Sequence, residues 1–118
     1  MPGKSGVTLR VVVKRNDLPK VPHAIHQAVA AEVTKGGYEI EAAAKQKAPV
    51  RTGTLRRSIH TVLTNGGMTA TVGPSVRYGF FVEFGTRHAG ARPFLRPAYA
   101  IVAPRVVDRI KTALRGRP

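Results

Sequence analysis

The residue types that could carry a reaction are few and scattered. Glu83 is one of six acidic residues and lies inside Tyr78-Gly79-Phe80-Phe81-Val82-Glu83-Phe84, a run that holds three of the four phenylalanines. A carboxylate among aromatic rings can act as a general acid or base if desolvation raises its pKa. The same carboxylate can anchor a buried ion pair, with Arg51, Arg56, Arg77 or Arg92 as candidate partners, and twenty lysines and arginines favour that reading. His23 and His26 stand three apart and can share one face of a helix, but two imidazoles alone make a poor metal site and no third ligand is spaced to join them. Ser58 and His60 are two apart, with no carboxylate placed to complete a nucleophile–base–orienter set. They read as a cap and a sheet residue. Glu39 and Glu41 are two apart on a predicted helix and diverge. Neither Gly36-Gly37 nor Gly66-Gly67 has dinucleotide or P-loop spacing. The absence of cysteine removes thiol nucleophiles, disulfides and thiolate metal sites. No catalytic residue, metal ligand or cofactor is expected, and the chain reads as a non-enzyme.

Charge points to a partner rather than a reaction. The formal net charge is +14 on 118 residues, spread along the chain rather than gathered in a tail. Such a field suits a phosphate backbone or a crowded nucleic-acid setting. No apolar run is long enough to cross a membrane, and Val7-Thr8-Leu9-Arg10-Val11-Val12-Val13 is too short and too charged for a secretory signal. The expected setting is a cytoplasm.

The elements that must position these residues can be read from periodicity. Residues 1–6 are Pro/Gly/Ser/Lys-rich and expected to be disordered, 7–115 to form a single α+β domain, and 116–118 to fray. Val7 to Lys14 is β-branched and predicts a strand, and Asn16-Asp17 with Pro19 and Pro22 predicts the turn after it. Ile25, Val29, Val33, Gly36, Ile40, Ala43 and Ala44 recur at three- and four-residue steps and predict a helix over His23 to Lys47, with Gly36-Gly37 as its weak point. Thr54 is placed to cap a short helical turn through Arg57. Ile59–Thr64 and Met68–Val72 predict a hairpin about Asn65-Gly66-Gly67. Tyr78 to Phe84 is ambiguous between strand and helix; a short helix is favoured, with Tyr78, Phe81 and Val82 on one face. Leu95, Ala98, Tyr99, Val102, Val106, Ile110, Ala113 and Leu114 predict a final helix, kinked at Pro104. The whole reads as a small antiparallel sheet, made of the N-terminal strand plus the hairpin, packed against two long helices, with a short helix before the C-terminal one.

Three motifs then stand out in order. Ala48-Pro49-Val50-Arg51-Thr52-Gly53-Thr54-Leu55-Arg56-Arg57-Ser58-Ile59 resembles a pattern A-P-v-x-T-G-x-L-x-x-S-I. Tyr78 to Thr86 resembles Y-a-x-x-v-E-f-G-T, and Arg92 to Ala98 resembles R-P-F-L-r-P-A. Together they are similar to the gene-ten-like neck proteins of long-tailed bacteriophages, typified by a lambdoid siphophage and called head–tail connector, tail-completion or minor tail proteins. Gly36-Gly37 departs from the family, where alanine and charged residues are expected.

The resemblance implies a structural protein of the virion neck, assembled in the host bacterial cytoplasm as a homo-oligomeric ring, hexamer or dodecamer. Its neighbours would be a head connector or stopper and a tail-tube or tail-terminator protein. Passing genomic DNA would be touched without sequence reading, and no membrane is involved. Phe80, Phe81, Arg87, His88, Arg92 and Phe94 are the expected contacts between subunits. Arg51, Thr52, Gly53 and Glu83 are the expected local-structure anchors. The alternative is a small basic nucleic-acid-binding protein; basic residues interleaved with aromatics on a strand platform, the pattern that would favour it, are missing.

Overall fold

The computed structural model describes residues 7–10, 23–49, 53–76, 78–85, 87 and 90–115. The chain runs β1 (Val7–Arg10), α1 (His23–Lys47), α2 (Thr54–Ser58), β2 (Ile59–Thr64), a 3-10 turn (Asn65–Gly67), β3 (Thr69–Pro74), α3 (Tyr78–Phe84) and α4 (Leu95–Arg115). The expected termini at 1–6 and 116–118, the continuation of the first strand to Lys14 and the turn after it all fall outside the described residues.

The three strands form one antiparallel sheet in the order β1-β3-β2. Val7 pairs with Val72 and Arg10 with Thr69 on one side of β3; Ile59 pairs with Pro74 and Thr64 with Thr69 on the other. β3 is the central strand and runs two residues beyond the expected stop at Val72, because Gly73 and Pro74 still have partners in His60 and Ile59. Pro74 closes the strand where the ladder ends. The connection from β2 to β3 is broader than a two-residue hairpin turn: Asn65, Gly66 and Gly67 all have positive φ.

One face of the sheet is covered by helix. Strand alternation sends Ile59, Thr61, Ala70 and Val72 toward α1, and Ile59, Ala70 and Val72 are buried there. α1 lies across β3 and β2, and α4 packs chiefly on α1 while reaching β1. Val29, Val33, Ile40 and Ala44 from α1 meet Leu95, Ala98, Val102 and Val106 from α4 in one core, as the three- and four-residue spacing of both sets requires.

α1 is continuous through Gly36-Gly37, spanning 25 residues or roughly 37 Å at 1.5 Å per residue. The glycines are a packing device. A Cβ on Gly37 would stand 2.8 Å from Ala70 Cβ and 3.0 Å from Thr61 Cγ2, so only glycine lets the helix backbone lie this close to the sheet. Thr61 uses the approach: its one hydroxyl proton has two acceptors in reach, Glu41 Oε1 at 2.8 Å and Gly37 O at 3.2 Å. α4 also runs uninterrupted, with exposed Pro104 inside it.

Candidate functional site

The three motifs converge where α3 delivers Glu83 to the start of α4. α3 is locked beneath by Gly79: a Cβ there would run into the Pro74 ring and come 3.2 Å from Leu55 Cδ1. Leu55, from the first motif, is buried on α2. The cap position of α2 is Gly53, with φ 82°, and Thr54 is the first helical residue rather than the cap expected of it. The left-handed backbone at this position explains why a residue without Cβ precedes the helix. α3 ends at Gly85, whose N–H reaches Phe81 O at 2.7 Å. The Arg92 N–H then returns to Val82 O at 2.8 Å, closing the segment between them at its base.

Glu83 is 2% exposed and accepts four hydrogen bonds. Its Oε1 takes the N–H groups of Phe94 at 2.9 Å and Leu95 at 2.8 Å; its Oε2 takes the N–H of Arg96 at 3.3 Å and the Arg96 Nε–H at 3.1 Å. These amides belong to the N-terminal end of α4, whose first N–H groups have no partner within the helix. A carboxylate there satisfies them and complements the positive end of the helix dipole. Glu83 is therefore a helix cap supplied by another helix, eleven to thirteen residues upstream. Both oxygens are engaged by donors from the start of α4, which is a structural use of the carboxylate.

Among the described residues the ion-pair partner is Arg96; of the four expected from sequence, Arg56 and Arg92 do not pair with Glu83, and Arg51 and Arg77 lie outside the described residues. The Arg96 guanidinium also lies over the Phe84 ring, 5.0 Å from its centroid, so Glu83, Arg96 and Phe84 form one unit. Phe94 is fully buried and not on the surface where a contact between subunits was expected; its position just ahead of the α4 amides carries its ring into the core. Phe81 is exposed, as are Arg87 and Arg92. Arg51, Thr52, His88 and the side chain of Phe80 lie outside the described residues.

The outward side of α3 is unusual. Tyr78, Phe81 and Phe84 are 44%, 49% and 50% exposed, while Gly79 and Glu83 face inward and Val82 is half-buried. This short helix buries its acid and presents Tyr78, Phe81 and Phe84, while Val82 packs against the core instead of sharing the face predicted for it.

Of the remaining groups weighed as chemistry, Ser58, His60, Glu39 and Glu41 make contacts within the fold. The Ser58 hydroxyl donates to Leu55 O at 2.7 Å, and His60 Nδ1 lies 2.9 Å from Ser58 O, so serine and imidazole are not aimed at one another. Arg109 on α4 joins Glu32 at 2.7 Å and Glu39 at 2.6 Å on α1. Those hydrogen bonds, Glu32 first, raise the Arg109 pKa above its ordinary value. Glu41 pairs with Lys45 at 3.1 Å. His23 and His26 line an open groove with Asn65 and Gly66, and among the described residues no cluster of three metal-ligating side chains occurs. No helix among them is long and apolar enough to cross a membrane. Sequence reasoning missed Arg96 and Arg109. Both sat among the polar positions of the predicted last helix, and nothing local marks a cation for a carboxylate that distant.

The family model described as "Bacteriophage HK97-gp10, putative tail-component" matches residues 15–85. No curated protein matches the chain, and no solved structure does. The matched span contains the first motif and the second as far as Gly85; the third lies beyond it, held to the second through Glu83. With more than half of its length matched, the chain belongs to the HK97-gp10-like family of bacteriophage tail components.

Proposed function

We propose that this chain is a structural subunit of the phage neck that oligomerises into a ring joining head and tail, completes the tail and contributes to the wall of the DNA conduit. The observation that supports assembly with virion neighbours is the outward side of α3; the ring itself is what the family resemblance implies. Three half-exposed aromatic rings sit together on a helix fixed at both ends. Contiguous apolar surface of this kind marks an interaction site. A subunit that acquires neighbours in a virion has a use for such a face. A closed ring needs two unlike patches on each copy, in a hexamer or dodecamer seated between a connector or stopper and a tail-tube or terminator protein.

Charge supports the conduit. Glu32, Glu39, Glu41 and Glu83 are all engaged in ion pairs within the fold, whereas Lys35, Lys47, Arg57, Arg105, Lys111 and Arg115 are exposed. A positive wall neutralises phosphate without reading sequence. The role is assembly, with no catalytic step.

The test is to assemble particles without the chain and add it back. Loss of head–tail joining in its absence, restoration on addition, and a ring of density at the joint by electron microscopy are expected; infectious particles lacking the chain would refute the proposal. The exposed cations also favour a second reading, a nucleic-acid-binding protein. Tight duplex binding by the isolated chain, weakening steeply as salt rises, together with no association with particles, would favour it.

A further inference from the structure

Among the described residues, the exposed charged groups that adjoin α3 by contact or follow it in the chain up to the start of α4 are all arginines. Arg96 holds its guanidinium against Phe84, and its side chain is 60% exposed although it pairs with Glu83. Arg92 is exposed and tied through its backbone to Val82. Arg87, two residues beyond the end of the helix at Gly85, is exposed as well. The centre is apolar: Tyr78, Phe81 and Phe84.

The described residues of a second copy offer little to answer this arginine rim. Among the described residues, Glu32 and Glu39 are held by Arg109, Glu41 by Lys45, and Glu83 is buried. Asp108 is the one exposed acid among them, and on its own helix it lies between exposed Arg105 and Lys111, three residues away on either side. At a net charge of +14, almost any surface of another copy sets cations against these arginines. Like charges brought together across an interface cost several kcal/mol.

We infer that the aromatic side of α3 docks on a different virion protein, one with an apolar centre and an acidic edge, and not on another copy of this chain. The inference rests on the proposed role as a virion subunit and names the partner class of its most exposed apolar face. It assigns Phe81, Arg87 and Arg92 to contact with an unlike protein, leaving any ring contact to other surfaces. Charge complementarity sets the choice: aromatic anchors supply the affinity, while the arginine rim steers an acidic partner and repels basic copies.

The experiment uses the full chain and particles assembled without it, with two readouts: incorporation into those particles by co-sedimentation, and self-association by sedimentation velocity. Phe81→Ser with Phe84→Ser, and separately Arg87→Glu with Arg92→Glu, are expected to lower incorporation by about tenfold or more and to leave self-association unchanged. The charge-reversed pair alters no buried group, so it keeps the test valid if the serine pair unfolds. Photo-crosslinking from Phe81→p-benzoylphenylalanine in assembled particles is expected to reach an unlike virion protein at a site edged by aspartate and glutamate. A crosslink to the chain itself, or loss of self-association in either variant, overturns the inference. So does unchanged incorporation, or a defect confined to duplex DNA binding. Failure of the unaltered chain to join particles would instead overturn the proposed function beneath it.

Discussion

Removing the Glu83 carboxylate should unfasten α4 from α3 at a cost that can be worked from the geometry. In Glu83→Ala the amides of Phe94 and Leu95 lose their acceptor in a site where both residues are 0–1% exposed. Each stranded buried donor costs about 1–3 kcal/mol. Arg96 is more than half exposed and returns to water at little cost. The sum is about 2–6 kcal/mol, centred near 4 and overlapping the range found when one partner of a buried charged group is removed. Glu83→Gln retains one carbonyl for two of the amides but turns an NH2 group toward the N–H donors of Arg96, and should cost about 2–3 kcal/mol. Arg96→Ala should cost about 0.5–1 kcal/mol, since an exposed ion pair is screened by solvent. Urea unfolding followed by far-UV circular dichroism is the assay. With a slope near 2 kcal/mol per molar, 4 kcal/mol moves the midpoint by about 2 M. Amide exchange at the start of α4 should rise in the same order. If Glu83→Ala unfolds within about 0.3 M of the unaltered protein, or if Arg96→Ala costs as much as Glu83→Ala, the cap is not what holds α4 and the reasoning fails.

Three further outcomes are expected. Gly37→Ala gains about 1 kcal/mol of helix propensity but forces a methyl against Ala70 and Thr61, where overpacking costs about 1–3 kcal/mol; net destabilisation in thermal melts is expected, larger for Gly37→Val. Phe94→Ala opens a cavity in the core and should cost about 3–5 kcal/mol, whereas Phe81→Ser, at a half-exposed ring, should leave the melting temperature within a few degrees while weakening docking. Arg109→Met removes the clasp between α4 and α1 and should cost about 1–2 kcal/mol, discounted for the part-exposed carboxylates. Because the Arg109 pKa is raised in the folded state, its contribution is complete below the ordinary arginine value and lost only as pH rises through the still higher folded one. The penalty in Arg109→Met should therefore be flat from about pH 7 to 10, and a strong dependence there would contradict the assignment.

The α+β architecture and the ends of the long helix were legible in sequence because periodicity is a local property. Val29, Val33, Ile40 and Ala44 declare a buried face without reference to any other element. The hairpin was legible from Asn65-Gly66-Gly67, and the family from three motifs met in order. What a side chain meets at long range is not a local property. Gly36-Gly37 read as a flaw in the helix until Ala70 and Thr61 stood against Gly37. Tyr78, Phe81 and Val82 could be grouped on one helical face, but which side faces water depends on Pro74 and Leu55 pressing against Gly79. Glu83 could be singled out as an anchor, but its partners are the amides that open α4, and Phe94 entered the core with them. Sequence determined which elements form, because backbone and side-chain preferences act over a few residues; tertiary packing alone decided which residues became anchors and which became surface, because burial is shared among segments far apart in the chain.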